Sequence, residues 1–170
     1  MFDALEAANA SYVDSGAHRS LPVRPARQLA VLTCMDARID VFAVLGLELG
    51  DVHVLRTAGA RVTDDVLRSL TLSTHALGTR ELAVIAHTDC GLHDPDHRLR
   101  ATLEQVMGRP PRTQRWYEFQ DPAAAVESDC AKLLSWPDRP EGFRVAGYVL
   151  DVEDGRLERV VEPTRATPPV

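Results

Sequence analysis

The chain has 170 residues, 45% of them hydrophobic and 26% charged, a balance that suits one soluble globular domain with a single core. A formal net charge of −6 argues against nucleic acid or an anionic membrane surface as the main partner, and no apolar run reaches membrane-spanning length. Three cysteines make no disulfide framework. The opening Met1-Phe2-Asp3-Ala4-Leu5-Glu6 lacks the basic start and apolar core of a signal peptide, so the expected compartment is cytoplasmic.

In chain order, Phe2, Leu5, Ala8 and Tyr12 recur at helical spacing, which predicts an amphipathic helix over 2–13. Pro22 and Pro25 make 21–27 an extended arm. Residues 1–27 therefore form a helix and arm with little core of their own. Strands are predicted at 29–32, 52–55, 82–86, 143–152 and 157–161. A short helix over 39–45 lies between the first two and stops at Gly46. A longer one runs to Leu77, with Thr63 as N-cap, Asp64 and Asp65 in its first turn and Gly78 just past its end. The stretch 93–105 is partly helical, with Asp94-Pro95 as its start. Pro122 opens a helix over 122–134. Three prolines in 163–170 predict a frayed tail. The alternation predicts one α/β domain over 1–170: a parallel four-stranded sheet with helices on both faces and an antiparallel edge strand.

Two segments carry the chemistry. Thr33-Cys34-Met35-Asp36-Ala37-Arg38 follows the first strand, and His87-Thr88-Asp89-Cys90-Gly91 follows the third. If those strands are neighbours, both segments lie at the carboxyl edge where ligands bind open α/β sheets. Cys34, His87 and Cys90 then form a set suited to zinc, with a fourth position left for water. Either segment alone would read as ordinary core packing, since a single cysteine after a strand is most often a small buried residue. Asp36 and Arg38 beside a thiol change that balance, because burying either is costly unless they pair.

At these residues the sequence resembles the β-class carbonic anhydrases, and most of all their short prokaryotic members. The resemblance covers Cys34-Met35-Asp36-Ala37-Arg38, Arg56-Thr57-Ala58-Gly59, Val62 to Val66, Leu77-Gly78 and His87 to Gly91, with the hairpin around Gly155 also in character. It implies zinc-dependent, reversible hydration of carbon dioxide to bicarbonate and a proton. Cys34, His87 and Cys90 would be the ligands and Asp36 and Arg38 the catalytic pair. Ala58, Gly59 and Val62 would form a small apolar pocket, and the Gly91 N–H would donate to a product oxygen. It also implies N-terminal helices packed across a partner, hence a homodimer or higher even oligomer acting on a small molecule. Carbon disulfide or carbonyl sulfide hydrolysis on the same fold is the alternative reaction, and a zinc-stabilised binding domain the alternative without catalysis.

The chain departs from the family pattern at three places. Thr57 stands where many members have Asn, Pro25 where plant-like members have a substrate-contacting Gln, and Val31 where members with a second, non-catalytic bicarbonate site carry Trp. Outside the two segments, His93 is near enough to shuttle protons, or is a solvated loop residue. His18, His53, His75 and His97 stand in no cluster. Asp89 is expected to cap a turn, Arg56 to pair with a carboxylate under the site, and Cys130 to be a buried structural thiol.

Overall fold

The computed structural model describes residues 1–16, 20–113 and 115–166. His18 and the last four residues of the expected tail lie outside these. The elements are α1 (Phe2–Asp14), β1 (Leu29–Cys34), α2 (Val41–Leu45), β2 (Val52–Thr57), α3 (Asp64–Thr71), β3 (Glu81–His87), α4 (Leu99–Met107), α5 (Pro122–Leu134), β4 (Arg144–Leu150) and β5 (Leu157–Arg165).

The five strands form one sheet in the order β2-β1-β3-β4-β5. Four run parallel, and β5 returns antiparallel along β4, as the alternation of elements predicts. Because the chain passes from β1 out to β2 and then crosses back to β3, the sheet reverses its order between β1 and β3. That reversal opens a crevice at their carboxyl ends. Side chains alternate across the pleat. Ala30, Leu32, Leu82, Val84 and Val145 pack with Val66 and Leu70 of α3 and Val126, Cys130 and Leu133 of α5. Val31, Ile85 and Leu150 turn the other way, toward Val41 of α2, Leu92 and Phe119. Every residue of β1 after Leu29 is buried, which is why this strand reads as a continuous apolar run rather than an alternating one.

Three boundaries differ from expectation. The helix capped by Thr63 loosens into a π turn over Leu72–Ala76 before Gly78 takes a φ of +83°. Helix α4 begins only at Leu99, because the Asp94 carboxylate accepts from the Arg98 and Leu99 N–H groups and holds the preceding segment as a loop. Strand β5 continues through Pro163 to Arg165, where fraying was expected. Proline is tolerated there because β5 is an edge strand. Among the described residues, no helix is long and apolar enough to cross a membrane.

Close packing of α5 on β4 gives a stability test. A Cβ added at Gly147 would collide with Val126 Cγ1 of α5 and lie 3.0 Å from Val161 Cβ of β5. Gly147→Ala is therefore expected to lower unfolding free energy by about 1–3 kcal/mol, read by urea denaturation. An unchanged midpoint would refute this packing.

Candidate metal centre

Strands β1 and β3 are paired neighbours, with Thr33 opposite Ile85. Cys34 closes β1 and His87 closes β3, so both emerge at the crevice, and the turn after β3 brings Cys90 back beside them. All three are buried, and their ligand atoms lie within 4.8 Å of one another, a group that could hold a metal ion. The two sulfurs are 4.0 Å apart and unbonded. His87 Nδ1 is 2.7 Å from the Thr88 carbonyl, to which it donates. That bond fixes the tautomer, leaving the Nε2 lone pair free. Nε2 is buried and, among the described residues, has no hydrogen-bond partner. Such an orphaned acceptor is expensive unless a ligand completes it.

Backbone N–H groups stabilise the sulfurs. Gly59 donates to Cys34 Sγ at 3.3 Å and Leu92 to Cys90 Sγ at 3.5 Å. The Cys34 thiol is held well below its usual range, first by the hydrogen bond from Cys90, with the Asp36 and Gly59 backbone acting in the same direction. Cys90 is pushed up, because it keeps the proton shared by the pair and is buried. The pair thus loses its first proton readily and resists losing the second.

Asp36 does not join the ligand group. Arg38 takes both of its oxygens, Nε to Oδ1 at 3.0 Å and Nη2 to Oδ2 at 2.7 Å, and the Arg38 N–H adds a third bond at 2.9 Å. This two-pronged geometry holds the carboxyl well below the usual carboxylate range. Asp36 Oδ2 stays 3.9 Å from His87 Nε2, close to the centre yet engaged elsewhere.

Asp89 has a role that sequence reasoning missed. Its carboxylate accepts from Arg38 Nη1 at 2.7 Å and its carbonyl from Nη2 at 2.9 Å, so Arg38 is held from two sides. Asp89 has a φ of +50°, a conformation that Asp tolerates better than most side chains. Its place between His87 and Cys90 was the available signal. Arg56 is a correction: it donates to the carbonyls of Cys34, Asp36 and Ile39 rather than to a carboxylate, and so braces the loop that carries the site.

A hollow of about 330 Å³ opens beside the sulfurs, lined by Ala58, Gly59, Gly91, Met35 and Leu92 as well as Cys34, Asp36 and Cys90. Gly59 has a φ of +66°, and a Cβ there would stand 2.8 Å from Leu92 Cδ2 and 3.0 Å from Phe119 Cε1. Only glycine fits. Val62 is a second correction, since it lies in the core with Val66 and Leu70 rather than on the hollow. Leu92 lines the hollow in place of Val62. His93 is exposed, stacks on Phe119 and has Nε2 2.9 Å from the Gln120 carbonyl, so it does not line the hollow. Thr57 Oγ1 donates to the Arg61 carbonyl, closing the turn that carries Gly59. Cys130 is buried in the core, and burial pushes its thiol up to about 12.

Residues 29–132 match the family model described as carbonic anhydrase. The chain is 38% identical to beta-carbonic anhydrase 1 of Mycobacterium tuberculosis over 149 residues, 86% of this chain and 90% of that one. It is 33% identical to a carbon disulfide hydrolase of Acidianus over 163 residues, 78% of this chain and 77% of that one. Among solved structures, carbonic anhydrase from Streptococcus mutans superposes with a TM-score of 0.86 at 41% identity, covering 94% of this chain and 96% of that one.

Proposed function

Because the chain belongs to the β-class carbonic anhydrase family, we propose that it hydrates carbon dioxide reversibly to bicarbonate and a proton at a zinc ion held by Cys34, His87 and Cys90. The observation that carries this reading is the Arg38 fork, which engages Asp36 and leaves the three buried donor atoms grouped together, with both cysteines beside a hollow. The donor set fits the ion. Sulfurs 4.0 Å apart compare with about 3.8 Å for two thiolates at tetrahedral angles on zinc, and the lone pair of His87 Nε2 supplies the third bond.

Zinc, when bound, supplies the Lewis acidity that makes water a nucleophile near neutral pH. The side chains do the rest. Asp36, kept ionised and turned by Arg38, accepts the remaining proton of the nucleophile as a hydrogen bond and so aims an oxygen lone pair at the substrate carbon. Ala58, Gly59 and Leu92 give carbon dioxide an apolar resting place. The Gly91 N–H is the donor proposed for a product oxygen. Cys34 and Cys90, as thiolates, would offset the charge of a bound dication, so water activated there would ionise at a higher pH than beside three imidazoles. The rate should therefore rise with pH as the basic nucleophile forms. Asp36 adds no acid limb, since its carboxyl lies well below the assay range.

The carbon disulfide hydrolase relative supports a second reading, hydrolysis of carbon disulfide at the same centre. Stopped-flow hydration of carbon dioxide by the zinc-loaded protein, with carbon disulfide turnover run alongside, separates the two. Carbon dioxide hydration rising with pH is expected. Carbon disulfide turnover without it would overturn the first reading, and neither activity would leave a zinc-stabilised binding domain.

We also assign the chain to a homodimer or higher even oligomer. Helix α1 buries no residue, with Phe2 75% and Leu5 62% exposed. It carries Asp3, Glu6 and Asp14 and no basic residue. A groove of about 440 Å³ crosses the sheet face, with Leu29, Leu45 and Ile85 in its lining beside Arg27, Arg144 and Arg159 and one acid, Glu81, which pairs with Arg144. An acidic helix with an apolar stripe complements that groove in a second copy. Light scattering is expected to give at least twice 18.7 kDa, and a monomer mass at micromolar concentration would refute the assignment.

A further inference from the structure

Arg61 follows the 3-10 turn Ala58–Ala60 that supplies Gly59 to the hollow. Its side chain is 13% exposed, and that of its partner Asp129, on α5, is 7% exposed. Nε donates to Asp129 Oδ2 at 2.6 Å and Nη1 to the Tyr117 carbonyl at 2.8 Å. The guanidinium carbon stands 6.0 Å from the centroid of the Phe119 ring. The same Asp129 oxygen accepts from the Val62 N–H at 3.3 Å. A buried ion pair adds little net stability over apolar packing. What a forked guanidinium does supply is direction, because its donors are rigidly fixed in one plane.

The two segments that Arg61 joins are both strained. Gly59 and Ala60 are consecutive left-handed residues, with φ of +66° and +59°, and Tyr117 has a φ of +58°. Non-glycine residues keep such angles only where their surroundings over-determine them. Each segment also bears on one sulfur. The Gly59 N–H points at Cys34 Sγ. Phe119, two residues past Tyr117, donates its N–H to the Leu92 carbonyl at 3.2 Å, and the Leu92 N–H points at Cys90 Sγ.

We propose that Arg61, anchored by Asp129, is a positioning residue: it holds the Gly59 and Leu92 N–H donors on Cys34 and Cys90 and so sets the electron density these sulfurs offer a metal. The proposal rests on the metal-site reading above. N–H donors draw charge from a ligating sulfur, which leaves the metal the stronger Lewis acid.

Arg61→Lys tests it, because lysine keeps a positive charge opposite Asp129 and loses the fork to Tyr117. The readouts are the sulfur-to-metal charge-transfer band of the cobalt-substituted protein, the rate of metal release to a chelator, and kcat and KM for carbon dioxide. A shifted band, release about tenfold faster and a lower kcat at unchanged KM are expected. Lys132→Met is the control. It removes another tether from α5, the bond from Nζ to the Val62 carbonyl at 2.6 Å, and should lower stability without moving band or release rate. If Arg61→Lys melts below the assay temperature, Asp129→Asn decides the same question by removing the charge that anchors Arg61 Nε: a shifted band and faster release are expected, and a native band and release rate overturn the proposal. A folded Arg61→Lys with the native band and release rate overturns the proposal, as does an equal shift in Lys132→Met. Lack of carbon dioxide turnover by the native protein would overturn the functional reading alone, since band and release rate are measured without substrate.

Discussion

Arg38→Ala is expected to abolish hydration while zinc stays bound. Arg38 supplies three of the hydrogen bonds that occupy Asp36, and Asp36 Oδ2 already lies 3.9 Å from His87 Nε2. Two of the three come from the guanidinium, so removing it leaves an ionised carboxylate beside a cation with a coordination position to fill. Coordination by Asp36 would displace the water that the reaction needs. Activity should fall by about 100-fold, to near the buffer rate, with zinc still stoichiometric by metal analysis. The melting temperature should change little, because the Arg38 side chain is 47% exposed and an exposed ion pair adds little to folding. Arg38→Lys should not restore activity, since a point charge cannot bond both carboxylate oxygens and Asp89 at once. Asp36→Ala should act differently, keeping the position open and losing only the orientation of the nucleophile. Full hydration by Arg38→Ala would overturn the mechanism.

Replacing both cysteines, Cys34→Ala with Cys90→Ala, is expected to remove the metal altogether. His87 would be the one donor left of the three, and a single imidazole does not hold zinc against dialysis. Metal analysis should find no zinc and stopped flow no hydration above the buffer rate. Zinc retained at one per chain would exclude these sulfurs as ligands. The double variant should still fold, because alanine suits both buried positions and the N–H groups of Gly59 and Leu92 can turn to water that enters the hollow. Circular dichroism close to that of the native chain checks this.

The fold was legible because its signals are local. An apolar run such as that before Cys34 reads as a parallel strand wherever both its faces are buried, and proline, glycine and capping residues punctuate the rest. Thr63, the expected N-cap, accepts from the Val66 N–H. The grouping of Cys34 with His87 was legible for a related reason: each ends a strand, so strand pairing alone decides that they meet. Asp36 and Arg38 are two residues apart, and their pairing needs little more than the turn between them.

What the tertiary structure alone decided are contacts over long separations. Arg61 meets Asp129 across 68 residues of chain, and nothing near either one announces the other. Phe119 reads as one aromatic among three in a weakly patterned loop, yet the isolated bridge between His93 and Phe119 seats it against Leu92 and Gly59. Val62 has the size and position for a pocket wall, but the turn at Ala58–Ala60 faces it into the core. Arg56 spends its donors on carbonyls because the loop after Cys34 folds back over it. Residue type and spacing determine which groups stand at the end of a strand. Which neighbours fill the space around them depends on where distant loops come to rest, and that is settled only when the whole chain packs.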